Sequence, residues 1–141
     1  MPADKRVLLI VRGWIEKAES DLKNVRLALG AAEDCPADTV AFHAQQCAEK
    51  YLKALLVFEG IDFPKTHDLD ALIGLLPGTH TIPLSVEEQR RLTSYATVTR
   101  YPGDYEPVTL ADARRAVALA RRVRKYVRSV LPREVLRRRS I

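Results

Sequence analysis

Apolar residues return along this chain at alternating steps of three and four. Val11, Ile15, Ala18, Leu22, Val25 and Leu29 form the first such stripe, the spacing that puts side chains on one face of an α-helix. Gly30 and the loop EDCPAD end it. A second stripe joins Val40, Ala44, Cys47, Ala48, Tyr51, Leu55 and Phe58. Asp38 or Thr39 is placed to cap its start and Gly60 to close its end. Gln45, Glu49 and Lys53 recur at steps of four along a different face of the same helix. Leu69, Leu72, Ile73 and Leu76 predict a short third helix, capped by Thr66 or Asp68 and ended by Pro77 and Gly78. Ser85 and Glu88 stand at capping-box spacing and open a fourth, which carries Val86, Leu92, Tyr95 and Ala96. Thr109 and Asp112 open the last, with Leu110, Ala113, Val117, Ala120, Val123, Val127 and Val130 or Leu131 as its apolar stripe. Pro132 ends it. No segment reads as a strand. The pattern predicts an all-α fold, an antiparallel up-down bundle of four to five helices. It forms one domain over residues 1–131, followed by a basic tail, 132–141.

Composition agrees with a single packed domain. The chain has 141 residues, of which 47% are hydrophobic, too many for a disordered chain. No apolar run approaches the roughly 20 residues of a membrane span. The run VLLIV leads into Trp14, Glu16 and Lys17 without a small-residue cleavage site, so a cytoplasmic protein without a membrane association is expected. Cys35 and Cys47 suggest no disulfide framework. His43, His67 and His80 are scattered and have no zinc-type spacing, so neither a metal nor a cofactor is expected.

Charge changes the picture more. From Leu110 to Ile141 the chain carries eleven basic residues against Asp112 and Glu134, a net of +9, while the rest has a net of −4. Arg114, Arg121, Lys125 and Arg128 form a basic row beside the last apolar stripe. Such asymmetry suits a polyanionic partner, RNA or a nucleotide, or an acidic protein; a solvated helix face is the plain alternative.

Four segments add a resemblance. WIEKAESDL (Trp14 to Leu22), AFHAQQCAEKYLKALL (Ala41 to Leu56), PKTHDLDALI (Pro64 to Ile73) and TRYPGDY (Thr99 to Tyr105) occur in this order over roughly residues 11 to 131. In order and content they resemble the HEPN-domain family, named for nucleotide binding in higher eukaryotes and prokaryotes. The resemblance implies a helical bundle, usually a homodimer. It also implies a protein often encoded beside a minimal nucleotidyltransferase, the two forming a toxin–antitoxin pair. Many family members are metal-independent endoribonucleases, with an arginine, usually a polar residue after it, and a histidine after a gap of four to six.

The chemistry fits that signature. RNA cleavage needs a group to take the 2′-hydroxyl proton, one to protonate the leaving oxygen, and positive charge on the phosphate. Histidine titrates in the useful range, and an arginine fork matches phosphate oxygens. Arg100 fits the arginine. Tyr101 follows it where a small polar residue is common, and Tyr105, Glu106 and Pro107 stand where the histidine would fall. The resemblance therefore implies first a nucleotide- or RNA-binding member paired with a nucleotidyltransferase. The alternative is a ribonuclease in which Asp104, Tyr105 or His67 replaces the missing group, and a third reading is a non-catalytic dimer. Arg100, Tyr101, Lys50, Arg114, Arg121 and Lys125 are the expected ligand contacts. In some pairs the nucleotidyltransferase attaches AMP to a tyrosine near the motif, and Tyr105 or Tyr101 would be that tyrosine. His43 and Lys50 lie seven apart on one face of the second helix. Trp14 is expected in the core or at a dimer contact.

Overall fold

The computed structural model of the protein describes residues 4–97, 103 and 106–137. Six α-helices make up the described fold: α1 (Lys5–Leu29), α2 (Ala37–Phe58), α3 (Leu69–Gly74), α4 (Val86–Thr93), α5 (Leu110–Val130) and α6 (Arg133–Leu136). Short 3₁₀ turns lie at Ala32–Asp34 and Ser94–Ala96. The described residues contain no strand, so the all-α bundle read from the pattern is the fold observed.

The central element is α2. It packs along α1 on one flank and α5 on another, with α3 and α4 against its remaining surface. That position explains why thirteen of its residues are buried, well beyond one stripe. Val40, Ala44, Cys47, Ala48, Tyr51 and Leu55 are all buried as the spacing predicts. Ala44, Cys47 and Ala48 are small, which lets the neighbouring backbones come close. Leu52, Leu56 and Ala54 fill the other sides.

Helix ends follow local chemistry. Ser85 with Glu88 and Thr109 with Asp112 form reciprocal capping boxes, each satisfying two amide groups at the helix start. Asp68 caps α3 by accepting from the Asp70 amide. α2 departs from expectation: it begins at Ala37, after Pro36, rather than at an Asp38 or Thr39 cap. Proline at the cap fixes the entry angle without a side-chain bond. At its other end Gly60 takes φ +72°. The Gly60 amide donates to the Val57 carbonyl and the Ile61 amide to the Leu56 carbonyl, the two bonds of a Schellman closure that favours glycine.

α1 starts earlier than its stripe. It takes in the VLLIV run, and within that run Leu9 and Ile10 are exposed. In α5, Leu110 and Val130 are partly exposed while Ala116 and Leu119 join the core. The stripe there is wider than one line because α5 sits in the groove of α2. Beyond Pro132 the chain turns into α6, which packs on α1 with Val135 buried. Among the described residues no helix is long and apolar enough to cross a membrane.

Candidate functional site

The polar stripe Gln45, Glu49 and Lys53 of α2 is buried and builds the first polar cluster. The Lys53 ammonium lies 3.0 Å from Glu49 Oε2. Glu49 Oε1 lies 2.7 Å from His67 Nδ1. Gln45 Nε2 donates to Glu49 Oε1 at 3.2 Å and to the His67 carbonyl at 3.0 Å. Each buried polar atom is thereby matched, as its desolvation requires. Lys53 also sits 5.5 Å from the Trp14 ring centre and 5.8 Å from that of Phe63, and those rings meet edge to face. Trp14 is half-buried at this junction.

His67 itself is 65% exposed, while its partner Glu49 is 3% exposed. Glu49 Oε1 faces Nδ1 of the ring, so Nε2 is the nitrogen not engaged by that carboxylate. Nε2 has no hydrogen bond among the described residues. His43 and His80 differ. His43 is bonded to Asp21, and His80 has both nitrogens occupied, by the Tyr126 hydroxyl at 2.7 Å and Glu59 Oε1 at 2.6 Å. Only His67 combines an exposed ring with a buried carboxylate that fixes its orientation.

The end of α4 is tied to the start of α3, close to this histidine along the chain. Thr93 Oγ1, at the end of α4, accepts from the Leu69 amide at 3.0 Å, and Arg91 reaches Asp112 at the head of α5 at 3.3 Å. Arg100, Tyr101, Asp104 and Tyr105 lie outside the described residues.

A second cluster joins α1, α2 and α5. Arg124 grips Glu19 with two bonds of 2.9 Å, the fork geometry suited to a carboxylate. The Tyr51 hydroxyl donates to Glu19 Oε2 at 2.8 Å and accepts from Arg128 at 3.3 Å. Burial works against ionisation of Glu19, but the bonds from Arg124 and Tyr51 and the charges of Arg124 and Arg128 hold its carboxyl below the usual range. Burial, with Glu19 beside it, pushes the Tyr51 phenol up. On the neighbouring turn Asp21 receives the Lys50 ammonium at 2.5 Å and His43 Nδ1 at 2.7 Å. The seven-residue spacing of His43 and Lys50 thus serves a shared aspartate. The charge of Lys50 is met inside the bundle.

Arg114, Arg121 and Lys125 stand exposed on α5, with no ion pair among the described residues. Their neighbours Arg122 and Arg124 are bound to Glu88 and Glu19. Among the described residues no group of histidine, cysteine and carboxylate side chains could hold a metal.

Sequence reasoning did not assign Glu49, Gln45, Lys53, Asp21, Glu19 or Arg124 to a cluster. The signal for the first three was present in their four-residue spacing. The acids of α1 needed the α1–α2 register.

The family model for the HEPN domain matches residues 11–130. The chain belongs to the HEPN-domain family, which supports a nucleotide- or RNA-related role at the level of the family. No curated protein and no solved structure matches it.

Proposed function

We propose that this chain is a nucleotide- or RNA-binding HEPN protein, acting as a homodimer and as one half of a toxin–antitoxin-like pair with a minimal nucleotidyltransferase. The observation that supports binding is the α5 row. Arg114, Arg121 and Lys125 are solvent-facing cations whose charge no carboxylate of the described chain meets. Such side chains contact phosphates without sequence preference and in a salt-dependent way. Arg100 adds a guanidinium from the RYP loop, and Tyr105 or Tyr101 is the residue that a nucleotidyltransferase would modify with AMP. Retention of a labelled RNA by the wild type, lost in the Arg114→Glu/Arg121→Glu/Lys125→Glu variant, supports this role. Equal retention by both contradicts it. Growth arrest on expression, relieved by co-expressing a small nucleotidyltransferase, tests the pairing.

The His67–Glu49 pair favours a second reading, a metal-independent ribonuclease. In it Nε2 of His67 takes or gives a proton at the scissile phosphate while Arg100 holds that phosphate. Cleavage of RNA in EDTA by the wild type, abolished by His67→Ala and by Arg100→Ala, supports this reading. Absence of cleavage by the wild type leaves the binding role.

A further inference from the structure

Two adjoining hollows run along the solvent side of α1. The larger, about 1000 Å³, includes Ile15, Leu27, Val135 and Leu136. The smaller, about 230 Å³, includes Leu8, Leu9 and Val135. Arg12 and Val135 line both, so the two form one groove between α1 and the segment from the end of α5 through α6. From Lys5 to Leu27, at about 1.5 Å per residue, it follows α1 for about 33 Å.

The lining has two characters. Its apolar part is aliphatic, and no aromatic side chain lines it among the described residues. Leu27, 67% exposed, lies at one end, and Leu9, 54% exposed, lies in the smaller hollow. Large apolar side chains left open along one stripe mark an interaction surface. Its charged part is mainly cationic: Lys5, Arg12, Lys23, Arg26, Arg128 and Arg137. The acids there are Glu16, Glu19 and Glu134, and Glu19 is already gripped by Arg124 from outside the groove. Arg128 donates to the Tyr51 hydroxyl, and its charge also acts on Glu19. Arg12 lies at the junction of the hollows. One of its terminal nitrogens donates to the Glu134 carbonyl, and its buried Nε has no hydrogen-bond partner among the described residues.

We propose that this groove docks an amphipathic helix of a partner protein, apolar on one face and acidic along its edges. A helix of about twenty residues spans about 30 Å, the length of the groove, and anchors spaced as i, i+3, i+4 and i+7 would meet the aliphatic lining. Acidic flanks would meet the lysine and arginine rim, which steers and selects such a partner. A nucleic acid strand is a poorer occupant of the aliphatic floor, which offers bases no aromatic ring among the described residues and leaves Leu9 and Leu27 without an apolar partner. A second copy of the chain is also poorer, because its matching surface would bring cations against cations. The inference does not depend on the α5 row or on His67.

The test uses a fluorescent helical peptide with leucines on one face and glutamates on both flanks, and a twin with lysines replacing the glutamates. Lys23→Glu/Arg26→Glu is the variant, since both positions are exposed and circular dichroism checks its fold. The wild type is expected to prefer the glutamate peptide by at least about tenfold, and the variant to reverse that preference. Leu27→Ser is expected to weaken the glutamate peptide on the wild-type background. Equal binding of the two peptides, or unchanged binding by the charge variant, overturns the proposal. So does loss of self-association in the variant with no peptide effect, which assigns the face to a second copy. Loss of RNA binding with no peptide effect assigns it to nucleic acid and overturns it as well.

Discussion

His67 Nδ1 lies 2.7 Å from Glu49 Oε1, and of the two residues the carboxylate is buried and the imidazole exposed. The arrangement places the carboxylate that orients the ring inside the bundle and the ring itself at the surface. Lys53 and Gln45 then hold Glu49 in place. Glu49→Gln is expected to destabilise the fold by about 3 kcal/mol, because it leaves the buried Lys53 ammonium without its counter-charge. Replacing both, as Glu49→Leu with Lys53→Met, is expected to recover most of that loss. Urea denaturation of the two variants measures it, and an equal loss in both would show that the pair is not coupled.

Acid should loosen the α1–α2–α5 junction through Glu19. Its carboxyl is held below the ordinary value of 4.5, despite burial, by Arg124, Tyr51 and the nearby guanidinium charges. A folded-state value below the unfolded one gives stability that is present above about pH 4.5 and is lost as pH falls through the folded value. The urea midpoint of the wild type is expected to drop more between pH 6 and pH 3 than that of Glu19→Gln. Parallel curves would remove Glu19 from the acid response.

The two thiols should differ in reactivity. Cys47 is buried, and that burial, with the charges of Glu19 and Asp21 nearby, pushes its thiol up to about 12. The thiolate is the reactive form, so Cys47 is expected to resist a thiol reagent at pH 8 until the protein unfolds. Cys35 is only half-buried and is expected to react first. Labelling followed by peptide mass analysis, with and without denaturant, reads the order. Rapid native labelling of Cys47 would mean that the α1–α2 seam opens.

His80 should tie the connection before α4 to the bundle. Its ring bridges Glu59 at the end of α2 and Tyr126 on α5. Tyr126→Phe removes one bond of a half-buried pair and is expected to cost about 1 kcal/mol. Amide exchange in residues 76–84 is expected to quicken in that variant. Unchanged exchange would mean that the His80–Glu59 bond suffices.

Much of the fold was legible because helical spacing and capping residues act locally. Ser85 with Glu88 and Thr109 with Asp112 named their own helix starts, and the stripes of α1 and α2 named their own buried faces. The wider core of α2 was less legible. A central helix buries polar residues along with apolar ones, and Gln45, Glu49 and Lys53 read as a separate face until α3 and His67 are placed against them. The candidate site was legible residue by residue but not in its pairings. His67 could be named from its place in KTHDL, whereas its link to Glu49 spans eighteen positions and depends on how α3 returns to α2. The pairing of Lys50 with Asp21 likewise needs the α1–α2 register. The groove along α1 forms only when α6 folds back, which no spacing within α1 announces.

The most direct test of the proposed binding role is the salt dependence of RNA affinity, measured for the wild type and for Arg121→Glu/Lys125→Glu. Each phosphate contact on a single strand adds about 0.7 to the slope of log affinity against log salt. The account predicts measurable binding by the wild type and a slope shallower by about 1.4 in the variant. No binding by the wild type, or the same slope and affinity in both proteins, would contradict it.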